Sequence, residues 1–328
     1  MMLLNGFMEP IPDDEVTGSS GRCWYLTHHH VYHKQKGTIR IVFNCSLKFN
    51  GKSLNDYLSK GPDIANNLFG VLLRFRQYKI AVIGDIEKMF YRVKVPHDHS
   101  NFLRLFWLNE SGEVSQYRLT VHVFGATSSP SVANYVLKQM VTQTEDEKIK
   151  SAIDRNFYVD DFLGSFDNEQ SAIEVTGGVR DTVQKGSFNP RGFKSNSRSV
   201  LEKLAPQELE ESSKRVPIYQ NGNDKALGVS WNTESDELSY DVSIPINTQI
   251  TKKVLLSHLA SVFDPLGLCS PVLLKGKRIF QEACRLTSSW DEVLPRHLVE
   301  IWEDWVADVN TLVNYSIPRC LSKGGTVS

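Results

Sequence analysis

Tyr158-Val159-Asp160-Asp161 lies between two apolar segments, Asn156-Phe157 and Phe162-Leu163-Gly164. This predicts two short strands meeting at a tight turn that carries adjacent carboxylates. Taking neighbouring anions out of water is costly unless cations compensate, so the turn is expected to serve a divalent metal. Such a metal needs a carboxylate from a second strand. Lys79-Ile80-Ala81-Val82-Ile83-Gly84-Asp85 supplies it, an apolar run ending in an acid. Successive side chains of a strand point to opposite faces, so Asp85 and Asp160 are the expected main ligands and Asp161 a secondary one. Taken alone, Asp85 also reads as the cap of a helix starting at Ile86.

A chain of 328 residues can bury a large core and divide into two or three subdomains. No apolar run is long enough to span a bilayer, and the amino terminus lacks the pattern of a secretory signal, so a soluble protein in the cytoplasm or nucleus is expected, with no membrane partner. Cys23, Cys45, Cys269, Cys284 and Cys320 are scattered and never form a Cys-x-x-Cys pair, which argues against a zinc ribbon or a disulfide framework. The net charge of −1 is no signature of a nucleic-acid binder, so polynucleotide contact has to come from local patches. One candidate patch holds Lys34, Lys36, Arg40, Lys48, Lys52 and Lys60 against Asp56, with Tyr32, Phe43 and Phe49 interleaved. Lys275, Lys277 and Arg278 form a second, on an expected helix. A solvated face is the alternative for either.

Residues 1–22 are loop-like in composition, with Pro10, Pro12 and Gly18-Ser19-Ser20-Gly21, and are expected to start within a larger domain. Arg40 to Ser46 reads as a strand, with Asn50-Gly51 as the turn of its hairpin. A helix is expected within 62–78, and paired strands over Phe102–Trp107 and Gln116–Thr120. Helices are expected over Ser131–Thr142, after Phe124-Gly125 and Pro130, and over Ser171–Lys185. Phe188 to Gly192 is turn-like. Ala226 to Trp231 reads as a strand, and residues 251–310 as helices broken at Asp264-Pro265-Leu266-Gly267, with Trp290, Trp302 and Trp305 as core.

In this order the motifs resemble those of a reverse transcriptase. Ser53-Leu54-Asn55-Asp56, Gly61-Pro62, Phe263-Asp264-Pro265-Leu266-Gly267, Ser270-Pro271 and Trp290-Asp291-Glu292 make the chain similar to the polymerase of BEL/Pao-type LTR retrotransposons. The likeness runs from about residue 22 to 310. It implies an α+β right-hand polymerase: a ferredoxin-like palm and partial fingers over 23–240, then a helical thumb- or connection-like segment over 241–328, with no RNase H. It also implies two Mg²⁺ ions (Mn²⁺ as a substitute) on Asp85, Asp160 and Asp161, and an RNA or DNA template-primer with deoxynucleotides as substrates. The other parts of a retrotransposon polyprotein (protease, RNase H, integrase) are expected as partners in DNA integration. By the same resemblance Arg40 contacts the incoming triphosphate, and Phe90 fills the space beneath the sugar. Phe124, Gly125 and Tyr158 border the nucleotide, and Leu227, Gly228, Val229, Ser230 and Trp231 hold the primer end.

The chain departs from the family pattern at Asn44, where an aspartate is usual, at Val121-His122-Val123 before Phe124, and at Gly192-Phe193, where Lys-Trp is usual. Arg191 and Lys194 flank that last site as candidate substitutes for the lysine, a general acid toward pyrophosphate. These departures also fit a decayed, non-catalytic remnant that at most binds nucleic acid. A phosphatase or nuclease with an unrelated carboxylate cluster is a third alternative. His28-His29-His30 and His33 lack a recognisable zinc-ligand spacing.

Overall fold

The computed structural model describes residues 2–18, 22–33, 37–109, 111–207, 224–245 and 249–322. Ser19-Ser20-Gly21, Lys34 and Lys36 lie outside them. Thirteen strands occur among the described residues: β1 (Met8–Pro10), β2 (Thr27–His33), β3 (Thr38–Asn44), β4 (Ile80–Ile86), β5 (Arg104–Leu108), β6 (Val114–Leu119), β7 (Phe157–Tyr158), β8 (Asp161–Phe166), β9 (Pro190–Ser195), β10 (Asp224–Ala226), β11 (Val229–Asn232), β12 (Glu237–Ser239) and β13 (Ser316–Pro318). They form sheets of order β1-β6-β5, β2-β3, β7-β8-β4-β9 and β10-β11-β12-β13. The fold is mixed, with antiparallel pairing in β1/β6, β5/β6, β2/β3 and along β10 to β13. Two compact units divide the chain: Met1–Asn66, Asp85–Asp160 and Gly177–Arg191 in the first, Asn67–Gly84, Asp161–Thr176 and Gly192–Ser328 in the second.

The first unit is built around Met8, Leu26, Phe43, Leu54, Leu105, Tyr117 and Leu119. Met8 and the buried Phe7 and Ile11 correct the expectation of a loop-like start. β1 pairs with β6, and a helix follows at Asp13–Gly18. The cause is electrostatic. Arg104 and Arg118 are register partners on β5 and β6, and both are buried, so two like charges face each other away from water. Glu9 is the β1 partner of Arg118 and lies 2.6 Å from it, and Glu15 also bonds to Arg118. Asn101 Oδ1 accepts from Arg104 at 2.8 Å. Glu9 and Glu15 are thus counter-charges of the sheet.

β2 and β3 pair over seven positions, from Thr27↔Asn44 to His33↔Thr38. Asn50-Gly51 follows β3 and lies outside this pairing. Those two residues close a separate small turn, with φ of 50° and 79° between the bridged Phe49 and Lys52. Arg40, Lys48, Lys52 and Lys60 are exposed, as are Tyr32 and Phe49, but Phe43 belongs to the core.

In the second unit the helix Leu68–Phe75 buries Val71, Leu72 and Phe75, and Asn67 caps it by accepting the Gly70 N–H at 3.0 Å. The expected strand over Ala226–Trp231 is instead a hairpin, because Leu227 and Gly228 both take positive φ (49° and 83°), the two-residue turn that matches strand twist. Phe188–Gly192 likewise differs from expectation: Pro190 and Arg191 already belong to β9. Helices at Lys252–Ser261, Ser270–Leu286 and Arg296–Asn310 pack on Trp302 and Trp305, both fully buried. Trp290 is half exposed, outside the expected stripe.

Arg319 ties this unit together. Its side chain is fully buried, bonds to Asp236 at 2.6 and 2.8 Å, donates to the carbonyls of Tyr78 (2.9 Å), Lys79 (2.8 Å) and Phe75, and lies 5.3 Å from the Phe75 ring centre. Trp231 Nε1–H donates to the same Asp236 at 3.0 Å. Removing one partner of a buried pair strands the other groups without compensation.

Arg319→Met is expected to lower unfolding stability by about 3 kcal/mol, measured by urea denaturation. Glu15 makes its own pH signature. Its bond to Arg118 holds the carboxyl below its ordinary value of 4.5, with burial working the other way. The associated stability is therefore present above that value and is lost as pH falls below it. Melting temperature against pH is expected to show this acid loss in the wild type and a smaller one in Glu15→Gln.

Candidate functional site

The end of β4 and the turn after β7 come together in the first unit. Ile86 N–H donates to the Asp160 carbonyl at 2.8 Å, which brings the backbone of Asp160 beside that of Asp85. On the other side, Glu87 N–H donates to the Asn189 carbonyl at 3.0 Å. Asp85 is exposed and Asp160 half-buried. Burial pushes the Asp160 carboxyl above the ordinary range, only partly offset by its own backbone N–H.

Val159 lies in the left-handed region at φ 56°, one residue before Asp160. A β-branched residue there is a genuine outlier, costing on the order of 1–3 kcal/mol unless its surroundings enforce it. The enforcement is local. Asn66 Nδ2 donates to the carbonyls of Asp154 and Phe157, each at 2.8 Å, fixing the chain on entry to the turn. Nothing in the residue pattern marks Asn66 for this role. Tyr158 is half-buried at the end of β7.

Among the described residues no three His, Cys, Asp or Glu side chains form a metal-ligand group. Asp160 ends the turn and Asp161 opens β8. Two carboxylates still fit Mg²⁺, which commonly takes one or two from the protein and the rest of its shell from water and substrate phosphate.

Next to Asp85, Glu87 collects cations that sequence reasoning did not assign to it. Arg191 lies 3.1 Å away, Arg92 3.4 Å and Lys88 3.7 Å. Burial alone would raise this carboxyl; Arg191 and Lys88 outweigh that and hold it below the usual range. Arg191, expected as a substitute for the missing lysine, is thus anchored beside the end of β4.

Phe90 and Phe124 pack together, with ring centres 4.4 Å apart at 61°. Phe90 is buried and Phe124 is 45% exposed. Gly125 has φ +100°, and a Cβ there would meet the Phe43 carbonyl at 2.6 Å, so only glycine lets this loop approach the end of β3. Asn55 completes the lock: its Nδ2 donates to the Gly125 carbonyl at 2.9 Å, and its Oδ1 accepts the Thr127 N–H at 2.9 Å. Ser53 and Asp56 bracket Asn55 in a capping box. Gly61-Pro62 meets the helix Ser129–Gln139 through Ser131 Oγ–H, which donates to the Pro62 carbonyl at 2.9 Å.

Arg40 is exposed on β3 opposite Val31. Leu227 to Trp231 belongs to the second unit, where Trp231 is fully buried against Phe75 at 5.1 Å, edge to face. Val229 and Ser230 are buried too, leaving Leu227 and Gly228 as the accessible part. Several residues that depart from the resembled pattern have local structural roles. Asn44 Oδ1 accepts the Ser46 N–H at 3.1 Å, and Val121, Val123 and Phe193 are core residues. All five cysteines are free. Among the described residues no helix is long and apolar enough to cross a membrane.

Residues 251–327 match the family model described as a Pao retrotransposon-like RNaseH-like domain. That description stands against the expectation of a segment without RNase H. Up to Ser322 the matched region holds the three helices that pack on Trp302 and Trp305, then β13. No curated protein matches the chain. Over 94% of its length the chain shares its fold with a structure described as the foamy viral protease-reverse transcriptase dRH in complex with double-stranded DNA, at a TM-score of 0.60 and 13% identity. It spans 46% of that chain, just under half. The segment is thus similar to a retrotransposon family and the fold to a retroviral pol structure.

Proposed function

We propose that this chain is the template-directed DNA polymerase part of a BEL/Pao-like retroelement, with a right-hand arrangement of ferredoxin-like palm, partial fingers and a helical thumb-like segment. One observation carries the proposal: the Ile86–Asp160 hydrogen bond at a strained turn, which sets a desolvated carboxylate beside the carboxyl end of an apolar strand. Strain and an undercompensated anion in one turn are the marks of a site shaped for a ligand. The likeness of fold to a viral reverse transcriptase supports the same assignment.

In this assignment Asp85 and Asp160 hold Mg²⁺, with Asp161 as a secondary ligand, and Mn²⁺ substitutes. Bound metal neutralises phosphate charge and favours the ionised 3′ hydroxyl of a primer. The chain's own residues do the rest. Phe90 closes the floor beneath the sugar, and Phe124 and Gly125 border the nucleotide with Tyr158. Arg40 meets the triphosphate, and the turn at Leu227 and Gly228 holds the primer end. Arg191, steadied by Glu87, is placed to meet the leaving pyrophosphate. The protease and integrase parts of a polyprotein are the proposed partners.

The RNaseH-like description of residues 251–327 favours a second function, cleavage of the RNA strand of a hybrid. Both are tested with a labelled primer on an RNA template in Mg²⁺. Primer extension by the wild type, reduced at least about 10³-fold in Asp160→Asn, is the expected result. Hydrolysis of the template without extension favours the nuclease. Well-folded protein that does neither favours the decayed remnant. Metal binding has a readout free of turnover: millimolar Mg²⁺ is expected to raise the melting temperature of the wild type by about 2–4 °C. Asp85→Asn and Asp160→Asn are each expected to abolish the increment.

A further inference from the structure

Phe263 opens the motif Phe263-Asp264-Pro265-Leu266-Gly267, for which the proposed chemistry has no use. It is 49% exposed, in a loop between the helices Lys252–Ser261 and Ser270–Leu286. Its ring is seated against the hairpin turn of β10 and β11. A Cβ built on Gly228 would fall 2.8 Å from Phe263 Cε1 and 2.9 Å from Cδ1. Gly228 therefore serves twice, taking φ +83° and leaving the space that one edge of the ring occupies.

The loop that carries the ring is held firmly. Asp264 accepts the N–H of Leu268 at 2.9 Å and of Cys269 at 2.7 Å, and the Tyr240 hydroxyl at 3.2 Å. The turn is held from its far side, where Trp231 is buried and bonded to the Asp236 that Arg319 clamps. Leu227, at φ 49°, keeps a strained backbone in the same turn. A half-exposed aromatic ring packed against a turn is partly ordered already, which lowers the conformational entropy lost on stacking against a ligand.

We propose that Phe263 is a nucleic-acid contact, stacking on a sugar or base of the strand whose end the Leu227–Gly228 turn holds. The assignment rests on the polymerase function proposed above and adds a residue to its primer surface. Stacking on such rings tolerates any base sequence, as a primer contact must.

The test is fluorescence anisotropy of a labelled template-primer duplex with a single-stranded overhang, at fixed salt and without Mg²⁺, so that no turnover is involved. Phe263→Leu keeps apolar bulk and removes the π-face. It is expected to weaken binding about 5- to 30-fold while leaving the melting temperature within about 2 °C. Phe263→Trp is expected to bind as the wild type does. Gly228→Ala, whose Cβ displaces the ring, is expected to weaken binding as Phe263→Leu does. Wild-type affinity in a folded Phe263→Leu variant overturns the contact and leaves the polymerase assignment standing. A wild-type protein that does not bind the duplex overturns both.

Discussion

The hydrogen bond from Ile86 N–H to the Asp160 carbonyl is the constraint on which the candidate site depends. It joins a strand end to a turn far later in the chain, and so sets the backbones of two acids side by side. The arrangement is not one that stability alone selects. Val159 is held in a conformation that β-branched residues avoid, and Asp160 is desolvated beyond what its own N–H offsets. A turn made for stability would place glycine at Val159 and a neutral side chain at Asp160. Both departures make sense together if a cation completes the site.

Around that turn, backbone position is set by short polar side chains. Asn66 holds the entry to β7, Asn55 ties the Gly125 loop to the capping box at Ser53, and Ser131 meets Pro62. Each satisfies backbone groups that a loop would otherwise leave to water, and each converts a flexible connection into a fixed surface. The second unit uses charge for the same end. Arg319 and Asp236 join the last described strand, the 227–231 hairpin and the end of the helix Leu68–Phe75 through one buried cluster.

Much of this was legible in the residues. The apolar run into Asp85, the carboxylate turn, the paired strands β5 and β6 and the helices after Pro130 and Asp264 all follow from local periodicity and capping, which act over a few residues. What escaped was set by distant partners. Glu9 and Glu15 look like loop acids until Arg118 is known to be buried far later in the chain. Leu227 carries no sign of a left-handed turn, since leucine avoids that region, yet its φ is 49°. Phe188 to Gly192 has turn composition, but Asn189 pairs with Glu87 and draws Pro190 and Arg191 into a strand. Of the candidate site, the strand end at Asp85 and the turn at Asp160 could be read locally. Asn66 and Glu87, which steady them, could not, because their partners lie on other elements.

The most direct measurement is anomalous diffraction from crystals of the protein grown in Mn²⁺. A manganese peak about 2.1–2.3 Å from carboxylate oxygens of both Asp85 and Asp160 is the predicted result. Manganese bound elsewhere in well-ordered crystals, with the two carboxylates turned apart and no peak between them, contradicts it.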